Sequence, residues 1–229
     1  MIQRLFERSF LLTVLLVCLV IPIVSVMPTL AGDDDQTLRD AATVLRAIID
    51  DNIVPPSLWA QVRCVMVLPD VRRFGFGIGG GGRGPMSCRT GKNFLGAWSA
   101  PVMYKVDGVR LNGSSSDYVL LMKDGSGVAN LLMGSTQLGL EARAEPGPSG
   151  VSAPNRTAGD ILTYGRAKGL FTGVSMGSAT LEPASAANKR LYGGDIGPPD
   201  ILTTKAVTTP AAGREFISTL DNKFAMRGP

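Results

Sequence analysis

Glycine dominates one short stretch of this chain and limits the structures that the stretch can adopt. Residues 75–91 read GFGIGGGGRGPMSCRTG, and eight of these seventeen residues are glycine. The spacing of Gly75, Gly77 and Gly80 follows the G-x-G-x-x-G pattern of a dinucleotide-binding loop. A second interpretation is structural, because glycines in and between strands allow tight turns, sharp bends and close approach between backbones.

The residues that follow the glycines argue against a nucleotide site. In a dinucleotide-binding unit a helix begins at the third glycine, and an acidic residue follows about 20 positions later. Here Gly80 is followed by GGRGP, and residues 95–104 read LGAWSAPVMY without an acid. A phosphate-binding G-x-x-x-x-G-K-[ST] loop is also excluded, because Asn93 follows Gly91-Lys92. The glycines are therefore interpreted as scaffold, and no cofactor is predicted.

The pattern of apolar residues predicts an α+β protein. Residues 33–51 carry apolar side chains at helical spacing after three aspartates, which suit the start of a helix. Short apolar runs then alternate with glycine-rich breaks, which favours a strongly curved antiparallel sheet or barrel with a few short helices packed around it. Strands are expected at 64–68, 74–79, 85–89, 97–106, 117–122, 137–144, 160–167, 170–176 and 178–181. Further helices are expected near 56–62, 124–133, 184–192 and 211–224, with a loose connection over 197–213.

The first 31 residues resemble a secretory signal peptide. Arg4 and Arg8 precede an almost wholly apolar run over 10–26, and Thr29-Leu30-Ala31 supplies small residues for cleavage after Ala31. Two alternatives remain open: a retained membrane anchor and a lipoprotein attached through Cys18. The pattern predicts an exported protein of the periplasm or cell envelope.

Two cysteines, Cys64 and Cys88, remain after such a cleavage. An even pair in an oxidising compartment indicates one disulfide bond. The alternative is two separate buried thiols, which behave as small apolar side chains. The Cα atoms of a disulfide are usually about 4.4–6.8 Å apart, so this prediction also states that the two strands carrying the cysteines are neighbours.

Several segments, in order, resemble the SYLF lipid-binding domain family. They are PPSL at 55–58, CVMVLPDVRRFGFGIGGGGRG at 64–84, WSAP at 98–101, GSSSDYVLLM at 113–122, ILTYGRAKGLFTGVSMGSATLEP at 161–183 and NKRLYG at 188–193. The resemblance covers about residues 52–193 and implies lipid or membrane association without catalysis, in an exported member of bacterial type. The domains then expected are a signal peptide at 1–31, a SYLF-like domain at 32–195 and a C-terminal extension at 196–229.

Basic residues around the glycine segment and near the G-R-A-K-G turn are candidates for contact with anionic headgroups. The predicted lipid-binding residues are Arg72, Arg73, Arg83, Arg89, Arg166 and Lys168. The expected partner is an anionic lipid or membrane surface rather than nucleic acid, and a protein partner stays unidentified. The sequence leaves open whether the helix over 33–51 touches a membrane or packs on its own sheet.

An enzymatic function finds little support in the sequence. The chain contains no histidine, which excludes Ser-His-Asp and Cys-His sites and removes the commonest metal ligand. Asp117 and Asp195 are isolated carboxylates without a visible partner. We predict no catalytic residue and no metal site. The alternative to lipid binding is a structural or protein-interaction module of the cell envelope, and a hydrolase is the third hypothesis.

Overall fold

A computed structural model describes residues 31–75, 79–91, 93–111, 113–123, 128, 131–132, 134–138, 161–167, 169–204 and 206–225. The predicted signal peptide, apart from Ala31, lies outside the described residues. The helices are α1 (Ala31–Asp50), α2 (Pro56–Trp59), α3 (Ser185–Tyr192), α4 (Pro198–Thr203) and α5 (Arg214–Ala225), the last preceded by a 3-10 turn (Ala211–Gly213).

Eight strands form one antiparallel sheet in the order β5-β8-β3-β2-β1-β4-β6-β7. The strands are β1 (Cys64–Arg73), β2 (Gly80–Cys88), β3 (Val102–Val109), β4 (Ser115–Met122), β5 (Thr136–Gln137), β6 (Ile161–Ala167), β7 (Leu170–Gly173) and β8 (Thr180–Pro183). The sheet curls strongly into a half-barrel, and the fold also contains a few short helices. The α+β prediction with a curved antiparallel sheet is confirmed.

The two faces of the sheet support separate apolar cores. Alternate residues of β1 point to opposite faces, so Met66 and Leu68 join one core while Val65 and Val67 join the other. Ile201 and Leu202 of α4 cover the first core. The second core lies beneath α1 and α5. Because both faces are covered, β1 is apolar along its first five residues instead of alternating.

Helix α1 packs on its own sheet. Its apolar stripe of Leu38, Ala41, Ala42, Leu45 and Ile48 has no solvent exposure. The helix contacts β1, β2, β4 and α5, and Phe216 and Leu220 of α5 are buried in the same core. Of the two alternatives that the sequence left open for this helix, packing on the sheet is the one that the structure shows.

Close backbone approach accounts for two of the glycines. A Cβ atom at Gly84 would lie 1.9 Å from the carbonyl oxygen of Val67 in the neighbouring strand. A Cβ atom at Gly81 would lie 2.7 Å from the carbonyl oxygen of Val106 in the strand on the other side. Both distances are below any real contact, so these positions of β2 exclude a side chain. This agrees with the scaffold interpretation of the glycine run.

The predicted strand at 74–79 is contradicted at 74, 75 and 79, while residues 76–78 lie outside the described residues. The neighbouring strands are longer than expected. Phe74 and Gly75 follow the end of β1, and Gly79 precedes β2. Strand β1 continues through Pro69-Asp70, where a turn was predicted, because a bulge between Leu68 and Val71 accommodates the extra residue. Similarly, α4 interrupts the stretch predicted as a loose connection, since Pro198 and Pro199 occupy the first helical positions, where proline is tolerated.

Candidate functional site

Several chain connections meet at one end of the sheet and bring arginines together there. Strand pairing places the end of β1 beside the start of β4, and Asp117 of β4 beside Arg166 near the end of β6. The same end holds the β3–β4 connection and the start of β7. We call this end the arginine edge and define it by six residues, Arg72, Arg73, Phe74, Arg110, Arg166 and Leu170.

Two of these arginines bond to backbone carbonyls. Arg73 Nη2 donates to the Leu111 carbonyl at 2.7 Å. Arg166 Nε donates to the Gly169 carbonyl at 3.3 Å, and its guanidinium lies 5.4 Å from the centre of the Phe171 ring. A carbonyl orients a guanidinium without cancelling its charge, so both side chains keep their positive charge at the surface.

Carboxylates moderate part of the charge at this edge. Arg72 forms an ion pair with Asp70, and the hydrogen bond between them raises the pKa of Arg72. Asp117 Oδ1 accepts a hydrogen bond from the Asp70 backbone N–H at 2.9 Å. Among the described residues, Arg73, Arg110 and Arg166 form no ion pair with a carboxylate, so they supply most of the positive charge at this edge.

Two large apolar side chains are exposed beside these arginines. Phe74 is 56% exposed and Leu170 is 66% exposed. The ring of Phe74 lies over Gly81, within 2.3 Å of the position that a Cβ atom would take there. The arginine edge thus combines apolar side chains that point to solvent with cations on the same loops.

Two of the predicted lipid-binding residues lie elsewhere. Arg83 is on β2 beneath the start of α1, where it pairs with Asp33 and Asp34. Arg89 lies beyond the opposite end of β2, donates to the Leu95 and Gly96 carbonyls and faces the rings of Trp98 and Phe224. These contacts keep both side chains away from the arginine edge. Lys168, the sixth predicted residue, lies outside the described residues.

Sequence reasoning missed Arg110, Phe74 and Leu170 as members of this edge. Phe74 was placed inside a strand, where its exposure is not expected. Leu170 begins a four-residue strand beside the G-R-A-K-G turn, and an apolar residue directly after a basic turn was the available signal. Arg110 is isolated in the sequence, and only strand pairing brings it to the edge.

The two cysteines face each other across neighbouring strands. Cys64 of β1 is the register partner of Cys88 of β2, with Cα atoms 4.0 Å apart, and the structure joins their sulfur atoms. Both residues are fully buried. The predicted adjacency of the two strands is confirmed, while the bond itself stays a prediction that requires a chemical measurement.

A second charged cluster lies at the start of α1. Asp34 has no solvent exposure, and its Oδ2 accepts a 2.7 Å hydrogen bond from Arg190 Nε of α3. This hydrogen bond raises the pKa of Arg190. Arg83 Nη1 of β2 lies 3.3 Å from Asp34 Oδ1. The cluster therefore joins α1, β2 and α3.

The described part of the chain contains neither a membrane-spanning helix nor a cluster of metal-ligating side chains. No helix within it is both long and apolar enough to cross a bilayer. Its His, Cys, Asp and Glu side chains form no group of three or more that is able to hold a metal ion.

Comparison with known proteins identifies the family. The family model described as "Ysc84: Las17-binding protein actin regulator" matches residues 108–223. The chain therefore belongs to the Ysc84 family, which is characterised by the SYLF domain, and the resemblance found in the sequence is confirmed. The match includes α5, which the sequence had placed in a C-terminal extension.

The curated relatives agree with this family. Protein YSC84 of Saccharomyces cerevisiae is 28% identical over 194 residues, which is 76% of this chain and 40% of that protein. An SH3 domain-containing protein of Schizosaccharomyces pombe is 26% identical over 205 residues, 81% of this chain and 46% of its own length. SH3 domain-containing YSC84-like protein 1 of Bos taurus is 26% identical over 219 residues, 90% of this chain and 63% of its own. The chain spans about half the length of the curated relatives that it matches.

The predicted location in a periplasm or cell envelope is wrong. The matched relatives come from yeasts and a mammal, and a periplasm is a bacterial compartment. The family description, moreover, names its members as regulators of actin. The oxidising compartment therefore no longer supports the Cys64–Cys88 disulfide, and that prediction now depends on the strand geometry alone.

Proposed function

We propose that this domain is a non-catalytic module that binds anionic membrane surfaces through the arginine edge. The observation that carries the proposal is the exposure of Phe74 and Leu170 beside Arg73, Arg110 and Arg166 at one end of the sheet. Apolar side chains that enter the boundary of a bilayer leave water, which contributes about 25 cal/mol per Å² of buried apolar surface. Each basic residue near an anionic surface adds about 1 kcal/mol.

Because α1 is packed against the sheet, we propose that the loops of the arginine edge, rather than this helix, contact the membrane. The apolar stripe of α1 is fully buried against the sheet. If this helix inserted into a bilayer, it would expose the second core, which includes Val65 and Val67. Phe74 and Leu170 require no such rearrangement. The lack of histidine in the sequence supports the non-catalytic part of the proposal.

Vesicle flotation of the full-length chain tests the proposal. We expect Leu170→Ser and Phe74→Ser each to reduce flotation with vesicles of phosphatidylcholine and phosphatidylserine by about tenfold or less, since a buried Leu or Phe side chain is worth about 1.5–3 kcal/mol and insertion is partial. Leu95→Ser is the matched control, because Leu95 is 58% exposed at the opposite end of the sheet. The apolar residues 10–26 are common to all variants, so only differences between variants are interpreted.

The charge component has its own control. Arg166→Gln is expected to weaken binding to the anionic vesicles and to leave binding to pure phosphatidylcholine unchanged. Arg39→Gln removes an equal charge from the exposed face of α1, where the side chain of Arg39 bonds only to Gln36 among the described residues. Equal losses for Arg166→Gln and Arg39→Gln, or for Leu170→Ser and Leu95→Ser, would contradict the assignment of the surface.

A protein-interaction function is the second candidate. The family description and the name LAS seventeen-binding protein 3, borne by an S. cerevisiae relative, both state that family members bind Las17. If this chain binds Las17 through the arginine edge, Leu170→Ser will lower the retention of purified S. cerevisiae Las17 more than Leu95→Ser does. No retention by the unaltered chain would remove this candidate and leave the membrane proposal intact.

A further inference from the structure

The carboxylate of Asp34 is buried between two arginines, Arg83 and Arg190, that are themselves partly exposed to solvent. Asp34 has no exposure, whereas the side chains of Arg83 and Arg190 are 29% and 30% exposed. Part of each arginine side chain is therefore open to solvent while the carboxylate stays covered.

The contacts of Asp34 leave this pair of arginines incompletely satisfied. Oδ2 accepts the hydrogen bond from Arg190, but Oδ1 accepts none among the described residues and lies 3.3 Å from Arg83 Nη1. The adjacent Asp33 pairs with Arg83 Nη2 at the surface. Each guanidinium carries five N–H donors, so the two arginines offer more donors than these carboxylates use.

Stability alone is a weak reason for such a buried pair. Removing a carboxylate from water costs several kcal/mol, and replacing a buried ion pair with apolar residues is often neutral or stabilising. The best-attested use of buried charge is to fix register or to form a switch. Here the charge joins the first turn of α1 to β2 and α3.

We propose that Arg83 and Arg190 form a binding site for a phosphate monoester, which Asp34 keeps closed by occupying it as an internal anion. A phosphate monoester carries up to two negative charges and three acceptor oxygens on one group, which suit two arginine forks better than the separate carboxylates of Asp33 and Asp34 do. Phosphate that binds there displaces Asp34 and frees the first turn of α1. The site is separate from the arginine edge and does not rest on the proposed membrane function.

Hydrogen exchange of the full-length chain tests the displacement. Inorganic phosphate, compared with chloride at matched ionic strength, is expected to accelerate exchange of the amides at residues 34–38 and to leave those of β1 unchanged. Arg190→Gln is expected to abolish the response to phosphate, because one of the two forks is lost. If exchange at residues 34–38 in the unaltered chain does not respond to phosphate, the proposal is wrong.

The variant Asp34→Asn tests the role of the internal anion. Asparagine has nearly the same shape but no charge, so it competes less for the arginines. A charge-assisted hydrogen bond is worth about 1.5–3 kcal/mol, and we therefore expect phosphate to bind this variant about tenfold or more tightly than it binds the unaltered chain. Equal affinity for phosphate would overturn the autoinhibitory role. The exchange test uses the unaltered chain and does not depend on whether Asp34→Asn folds.

A last comparison separates free phosphate from a lipid headgroup. Vesicles with phosphatidic acid present the same phosphate monoester on a membrane, so the exchange response is measured with both sources. Leu170→Ser is expected to leave the response to inorganic phosphate unchanged, because Leu170 lies on the arginine edge. A response that Leu170→Ser removes with both sources would show that the arginine edge, rather than the Arg83–Arg190 pair, binds the anion.

Discussion

At the scale of single residues, glycines of β2 lie where the backbones of neighbouring strands approach too closely for a side chain. The Cβ position of Gly84 is 1.9 Å from the Val67 carbonyl oxygen. The obstacle is the backbone of β1, where Val67 is the register partner of Val119 in β4. A flexible side chain would be able to move aside, but this carbonyl cannot move without disturbing the pairing of β1 with β4. Glycine is therefore required at position 84 for a steric reason.

Gly84→Ala is expected to lower the free energy of unfolding by about 3 kcal/mol or more, because overpacking against a rigid neighbour is at the upper end of its usual cost. Urea denaturation measures the change. The control is Gly194→Ala, since a Cβ there meets nothing within 4 Å, and surface substitutions usually change stability by less than about 0.5 kcal/mol. Similar midpoints for the two variants would refute the packing explanation.

Reasoning from the sequence identified arginines that stand in continuous basic segments. It missed an arginine that only strand pairing brings to the same end of the sheet. Arg72 and Arg73 are adjacent in sequence, and Arg166 stands in a basic turn, so all three were visible as candidates. Arg110 joins them only through the pairing of β3 with β2 and β2 with β1. The loss of Arg83 to Asp33 and Asp34 was equally hidden, because those partners are about 50 positions away in the sequence.

At the scale of elements, helix α1 is part of the folded unit. Its apolar stripe was read correctly from the spacing of Leu38, Leu45 and Ile48, because a 3.6-residue period depends only on neighbouring residues. Which surface the stripe meets depends on long-range contacts, and the sequence left that open. The structure places it against the sheet and α5.

Leu45→Ala is therefore expected to lower the free energy of unfolding by about 2–5 kcal/mol, the usual cost of deleting a buried leucine side chain. Chemical denaturation followed by tryptophan fluorescence measures it, since Trp59 belongs to the same core. Arg39→Ala on the exposed face serves as the control. If α1 stood away from the sheet, the two variants would have nearly equal stability.

The pairing of β1 with β2 gives the cysteine prediction a direct chemical test. We expect alkylation of denatured, unreduced full-length chain to label one cysteine, Cys18, and reduction beforehand to expose three. Labelling of all three without reduction would show that Cys64 and Cys88 are free thiols.

If the bond is present, reduction is also expected to destabilise the fold. The cysteines are 24 positions apart, and the chain-entropy model gives a loop of this length about 3 kcal/mol. Thermal unfolding with and without reductant measures the difference. A melting temperature that reductant does not change would contradict this contribution.

At the scale of the whole molecule, the balance of charge predicts how binding responds to salt. The chain carries a net charge of +4, which is too small to act over long distances, so attraction to a membrane depends on local charge at the arginine edge. The Debye length falls from about 30 Å at 0.01 M salt to about 8 Å at 0.15 M. Binding to phosphatidylserine vesicles is therefore expected to weaken over this range, measured by flotation.

Binding to pure phosphatidylcholine vesicles provides the comparison for this prediction. It depends on apolar contact from Phe74, Leu170 and the N-terminal apolar segment, and it is expected to change little with salt. A parallel decline on both kinds of vesicle would show that salt acts on something other than attraction to anionic lipid.

The strand order also constrains how the chain reaches its fold. Strands β3 and β4 follow each other in sequence, yet β2 and β1 lie between them in the sheet. The connection after β3 must therefore pass the end of the β1–β2 hairpin, and Arg73 bonds to it at Ser114 and Leu111. The hairpin is a local contact that forms early, whereas placing β4 beside β1 closes a longer loop. We therefore expect the β1–β2 hairpin to form first during refolding. Its two free edges then pair with β3, on the β2 side, and with β4, on the β1 side.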